Sequence, residues 1–154
     1  MKQTISKDLP LSEITLRRYE KPKLSDRELV RKLCLSIGLL QPGDSRDVMV
    51  DVLHVLLKAK KEKKTLHSEE IKNLVIEQRK QMNLPIFGVA GSNIRRQLKR
   101  LKDLFLIESQ ANAYRVSEFA AVSEIFNDKI KNFYLNGIIA RVHEYFQKID
   151  EEYK

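Results

Sequence analysis

Between Ser92 and Val116 the chain changes its hydrophobic period once, and that change restricts the fold more than any other stretch. Ile94, Leu98, Leu101 and Phe105 recur at steps of four, three and four, the spacing of a helix with one buried stripe. Leu106, Ile107, Glu108 and Ser109 then read as extended, Gln110 to Ala113 is polar and turn-like, and Tyr114, Arg115 and Val116 read as extended again. The spacing predicts a helix over 92–104 running directly into a two-stranded hairpin over 106–116. Gly88 and Gly91 punctuate the chain just before it, and Ser92 is expected to cap the helix by accepting a hydrogen bond from a free first-turn amide. At about 100° per residue, Asn93, Arg96, Lys99 and Arg100 are expected on the side opposite the apolar stripe.

This passage resembles the winged helix-turn-helix domain of bacterial and archaeal transcription regulators, in which a helix ending like Leu101-Lys102-Asp103-Leu104-Phe105-Leu106-Ile107 feeds a β-wing. The resemblance covers residues 45–116. The family often has glycine where Phe105 stands, and a non-glycine residue is less free to take the left-handed conformation of a tight helix-to-strand turn. What the resemblance implies is a mainly α fold with a small β-wing, to which this chain adds an N-terminal helix and a long C-terminal helix. It also implies a DNA-recognition role for helix 92–104. Asn93, Arg96 and Arg100 are then expected at base edges, Arg95 and Lys99 at phosphates, and Ser92 at the DNA-facing start of the helix. Arg115 on the wing, with the lysines between 60 and 64, would add backbone or minor-groove contacts.

The distribution of charge agrees with a polyanionic partner. The formal net charge is +8, and residues 58–104 hold 13 Lys or Arg against 5 Asp or Glu, while 1–57 hold 10 against 8 and 105–154 hold 6 against 8. A localised basic surface binds phosphates by releasing their counterions; otherwise it is a solvated lysine-rich face. No apolar run of about 18 residues is present to span a bilayer, and Met1-Lys2-Gln3-Thr4 lacks the apolar stretch of a signal peptide, so a cytoplasmic location with no membrane partner is expected. The single cysteine, Cys34, lies between Leu33 and Leu35 and reads as a buried core thiol.

Three regions follow in order. Residues 1–44 hold an arm, with a short extended stretch around Ile14 to Arg17, and then a helix of about 14 residues introduced by the capping box Ser25-Asp26-Arg27-Glu28. Residues 45–116 are the winged unit: a helix capped by Ser45, the lysine-rich run 58–64, a brief strand at Thr65-Leu66-His67, a positioning helix capped around Ser68-Glu69-Glu70 and carrying Ile71, Leu74, Val75 and Gln78, and a long connection from Asn83 to Gly91. Residues 117–154 are helical and acidic, with a break expected near Gly137; if continuous, they span about 45 Å at 1.5 Å per residue, more than a small domain needs to cover its own core. The late apolar positions Ile138, Val142, Tyr145 and Ile149 are expected at a homodimer interface, the alternative being packing against Leu29, Leu33 and Ile37.

No chemistry-bearing constellation is apparent. His54, His67 and His143 are scattered, and one cysteine cannot complete a zinc spacing. Glu69 and Glu70 are adjacent and so diverge on a helix. No nucleophile elbow, dinucleotide fingerprint or phosphate loop is present. The expectation is therefore a binding protein with no metal and no cofactor, not an enzyme. Its function would be recognition of double-stranded DNA as a transcriptional regulator; the alternative is a winged-helix protein–protein interaction module in a transcription or chromosome-maintenance assembly. RNA binding would call for exposed stacking aromatics, few of which stand beside the basic helix.

Overall fold

A computed structural model describes Ile14, residues 21–23 and residues 26–154. The extended stretch expected around Ile14 to Arg17, Ile14 itself excepted, and Ser25 of the expected capping box lie outside the described residues. The architecture is mainly helical with one small three-stranded antiparallel sheet.

Helix α2 (Val48–Lys61) is the centre. Its first nine residues, Val48 to Leu56, are all buried, and a helix apolar on nearly every side has to be wrapped by the rest of its domain. The wrapping is done by α1 (Asp26–Ser36), α3 (Ser68–Gln81), α4 (Gly91–Asp103) and strand β3 (Ala113–Val116). Strand β3 is the middle of the sheet, flanked by β1 (Leu66–His67) and β2 (Ile107–Gln110), with Leu66 opposite Tyr114 and Glu108 opposite Arg115. One continuous apolar core runs from Val30 in α1 to Ile130. The expected brief strand before the positioning helix is thus present as β1. Among the described residues α1 spans eleven and ends at Ser36, before the Gly38 to Leu40 stretch.

Inside this apolar packing sits a knot of charge. Asp51, fully buried in α2, accepts hydrogen bonds from Arg27 Nε of α1 at 2.8 Å, from Gln78 Nε2 of α3 at 2.7 Å and from Arg79 Nη1 of α3 at 2.6 Å. Asp47 accepts from the same two guanidinium groups, Arg27 Nη2 at 2.8 Å and Arg79 Nη1 at 2.9 Å. Burial alone would raise the Asp47 carboxyl, but the two arginines outweigh it and hold the group below its usual pKa. Two carboxylates against two guanidiniums leave no net charge in the interior, the condition for tolerating buried ions.

That knot also explains a displaced helix start. Ser45 does not cap α2; the helix begins at Val48, and the residue before it, Asp47, makes no side-chain cap bond because its carboxylate faces the arginines. Helix α4 likewise begins one residue before Ser92, with Ala90 in the capping position. At α3 the start falls where expected, but the reciprocal bond comes from Glu70, which accepts the His67 amide at 3.1 Å.

Four helices end alike. Gly38, Lys63, Asn83 and Phe105 are each left-handed, with φ of 76°, 50°, 54° and 61°. The next residue in each case sends its N–H back five residues: Leu39 to Cys34 O, Lys64 to Ala59 O, Leu84 to Arg79 O and Leu106 to Leu101 O, at 2.9–3.1 Å. This is the Schellman closure, which glycine serves without strain and the other three do not.

After a tight corner at Ser117–Phe119, a helical column runs from α5 (Val122–Ile125) through a π-wound stretch (Phe126–Leu135) into α6 (Asn136–Glu152). Gly137 does not break it. The first part packs on the core through Ile125 and Ile130, whereas no residue of α6 is buried. The alternative of α6 packing on Leu29, Leu33 and Ile37 is therefore not what the chain adopts.

Two measurements test this interior. Asp51→Ala leaves two buried guanidinium groups with Asp47 as the one carboxylate between them, an uncompensated buried charge expected to cost about 3–5 kcal/mol in denaturant unfolding. His54 is buried with no hydrogen bond to Nδ1, and burial followed by the nearby Lys58 cation holds its imidazole below the usual pKa. The unfolded chain then binds the proton more readily, so this contribution to stability is complete above about pH 6.5 and is lost as pH falls below it. His54→Leu should flatten that part of the urea-midpoint profile between about pH 7.5 and pH 5.

Candidate nucleic-acid interface

Helix α4 is gripped on three sides and bare on the fourth. Ile94, Leu98 and Leu101 are fully buried against the core, as their spacing requires. Ser92, Arg95, Arg96, Lys99 and Lys102 are exposed and, at about 100° per residue, share one face. Among the described residues Arg95, Arg96 and Lys102 have no hydrogen-bond or ion-pair partner, and Lys99 bonds only to Asp103 on the same helix at 3.0 Å. The guanidinium of Arg95 lies over Gly91, where a Cβ would meet Nη1 at 3.2 Å.

Two of the residues expected at base edges are turned elsewhere. Asn93 Nδ2 donates to Gly88 O at 2.6 Å, and its Oδ1 accepts from Gln97 Nε2 at 3.0 Å. Gln97 Oε1 in turn accepts from Arg100 Nη1 at 3.0 Å, and Arg100 Nη2 donates to Leu39 O at 3.0 Å. Asn93, Gln97 and Arg100 thus form a rail along the flank of α4. The rail ties the start of α4 to the loop before it and the end of α4 to the turn after α1. Asn93 and Arg100 position the helix; Arg95, Arg96 and Lys99 are the ones it presents. The spacing i, i+4, i+7 of three long hydrogen-bonding side chains was the available sign, since it is the spacing of a stripe one flank away from the apolar one.

The hairpin is equally committed to internal bonds. Its two-residue turn, Ala111 and Asn112, has both residues left-handed, at φ 50° and 63°, the backbone that fits strand twist and is usually filled by Asn-Gly. Asn112 Nδ2 donates to Ser68 Oγ at 3.4 Å, and Asn112 O lies 3.3 Å from His67 Nδ1, so the tip rests on the start of α3. Arg115 is paired with Glu108 at 2.6 Å across the sheet and lies 4.9 Å over the Phe119 ring. The Glu118 amide first, and Arg115 after it, hold the Glu108 carboxyl below its usual pKa. Among the described residues no hydrogen bond or ion pair ties lysines 60–64 to α4. Lys64 pairs with Glu62 at 2.8 Å.

A second exposed surface lies on α6. Ile138, Val142, Tyr145 and Ile149 follow steps of four, three and four, and each is about half exposed or more. Ile139, Phe146 and Tyr153, which repeat at seven, widen the stripe on one side. The expected set omitted these, though their heptad spacing was open to reading.

Other chemistry is sparse. Among the described residues no group of three or more His, Cys, Asp or Glu is placed to hold a metal ion, and no helix is long and apolar enough to cross a membrane. Burial pushes the Cys34 thiol up to about 12, which leaves it protonated and unreactive. No family model, curated protein or solved structure matches this chain.

The two arginine roles separate in one experiment. Arg100→Ala should lose about 1–2 kcal/mol of stability by unpairing Leu39 O and Gln97, whereas Arg96→Ala should stay within about 0.5 kcal/mol. Equal melting of the two variants would dissolve the distinction.

Proposed function

We propose that this chain is a DNA-binding protein of the winged helix-turn-helix type, acting in the cytoplasm as a transcriptional regulator and reading duplex DNA with the exposed face of α4. The observation that carries the reading is the contrast within that helix. Every long polar side chain on its flank is bonded inward, while Arg95, Arg96 and Lys102 on the open face are unpaired and Ser92 and Lys99 stand beside them. Unpaired cations presented on a docked helix are what a major groove accepts. Arg96, with Ser92 next to it, is assigned to base edges, and Arg95, Lys99 and Lys102 to phosphates. The hairpin, with Arg115 occupied by Glu108, acts as a support and not as a second reader.

The partner of α6 in this reading is a second copy of the chain. Its apolar positions spread over a face wider than a strict two-position seam, the pattern of a helix packed in a bundle, and two-fold symmetry would set a pair of α4 helices on successive half-sites. A second reading, an interaction module in a transcription or chromosome-maintenance assembly, draws on the same helix. It requires a different protein on α6 and no affinity for DNA.

Arg96→Ala is expected to weaken duplex binding and lower the slope of log affinity against log salt by about one if it also loses a phosphate contact. Undiminished affinity at fixed salt would remove α4 as the reader. Val142→Asp with Tyr145→Asp should convert a dimer to monomer in sedimentation and reduce DNA affinity, because the half-sites would then be bound separately. A monomeric parent at micromolar concentration would overturn the dimer.

A further inference from the structure

The loop joining α3 to α4 is pinned at three points. Leu84 N–H bonds Arg79 O at 2.9 Å, Arg79 Nε donates to Pro85 O at 2.7 Å, and Asn93 Nδ2 donates to Gly88 O at 2.6 Å. Gly88, at φ 71°, packs so closely that a Cβ there would meet Asn93 Nδ2 at 3.2 Å and Val48 Cγ2 at 3.3 Å. Between these anchors Ile86 is 39% exposed and Phe87 70% exposed. A loop this constrained fixes the backbone from which these apolar side chains stand in solvent, and it does so immediately before the cationic helix.

Charge selects the occupant. Beyond Arg79, which is neutralised in the buried knot, the twenty-three residues from Lys80 to Lys102 contain six Lys or Arg and no Asp or Glu. Whatever covers Phe87 also meets that field. Duplex DNA supplies both halves of the match, phosphates for the cations and, in the major groove, the thymine 5-methyl group as an apolar contact for an aromatic side chain. We propose that Phe87, supported by Ile86, packs on thymine methyl groups at the edge of the α4 footprint and so contributes sequence preference that the basic residues alone do not. The proposal rests on the DNA-binding reading above.

Removing the thymine methyl groups from the DNA isolates the contact. Duplexes would be selected from a random pool by the full-length protein, then remade with uracil in place of thymine, and affinities of the parent and Phe87→Ala measured on both at one salt concentration. The parent should lose about fourfold or more for each contacted methyl. Phe87→Ala should bind the thymine duplex more weakly and no longer distinguish the two, while Phe87→Leu, which keeps apolar bulk, should retain part of the difference. Thermal melts of the variants should match the parent, since the side chain is exposed. A parent indifferent to the methyl groups, or a Phe87→Ala protein that discriminates as the parent does, overturns the proposal while DNA binding stands. Failure to enrich any duplex, with no salt-dependent retention, overturns the DNA reading and this contact with it.

Discussion

Asp51 is the point on which the helices are set. Its carboxylate collects donors from α1 and α3 at once, so α2 cannot slide or rotate against either neighbour without unpairing a buried charge. Desolvating the ions offsets much of their mutual attraction, and the value of the arrangement lies in fixing which groups must meet. From the knot, bonds continue outward. Arg79 reaches the Pro85 carbonyl in the loop, Asn93 holds the Gly88 carbonyl, and the rail through Gln97 and Arg100 returns to the Leu39 carbonyl beyond α1. Together these polar contacts encircle α2, while Ile94, Leu98 and Leu101 press α4 onto it from within. The open face of α4 inherits its orientation from that ring.

How much of this was legible in the sequence depends on whether burial follows the apolar pattern. Ile94, Leu98 and Leu101, the switch to a hairpin after Leu106, the strand at Leu66–His67 and the buried Cys34 all obeyed the hydrophobic period, and each was readable. Arg27, Asp51 and Arg79 were not, because charged residues are read as solvent-facing and only three-dimensional pairing makes their burial tolerable. The internal bonds of Asn93 and Arg100 escape the sequence pattern for a related reason. A helical wheel divides residues into inside and outside, whereas these two lie on the flank, where the outcome depends on whether a carbonyl such as Gly88 O or Leu39 O stands within reach. The helix starts slipped as well: α2 begins at Val48, three residues after Ser45, and α4 has Ala90 in the capping position instead of Ser92.

Phe105 shows a local rule overridden for a gain elsewhere. A left-handed phenylalanine is costly relative to glycine, yet glycine at this place would remove the ring on which Phe133 and Tyr134 of the C-terminal column pack. The Phe105 ring stacks on Tyr134 at 5.5 Å and meets Phe133 edge-on at 6.0 Å, and the Tyr134 hydroxyl donates to Asp103 O at 2.6 Å. Aromatic contacts of this kind add about 0.5–1.5 kcal/mol each beyond the area they bury, enough to offset the backbone strain. The residue that turns α4 into the hairpin is thus also the socket for the helical column.

That double role joins the two exposed surfaces. The cationic face of α4 ends one turn before Phe105, and the apolar stripe of α6 begins soon after Tyr134, so a short aromatic joint is all that separates them. The wide π-type winding covers Phe126 to Leu135, the part of the column that contains both Phe133 and Tyr134. Such winding turns successive side chains by a different angle from ordinary α-helix. Within this stretch the rings of Phe133 and Tyr134 meet Phe105, and beyond it Ile138, Val142, Tyr145 and Ile149 are exposed. In the proposed dimer, the angle between paired α6 helices and the separation of the two α4 helices would both be set at this joint. The spacing of half-sites on DNA would then be written in the contact between Phe105 and Tyr134 as much as in the stripe itself.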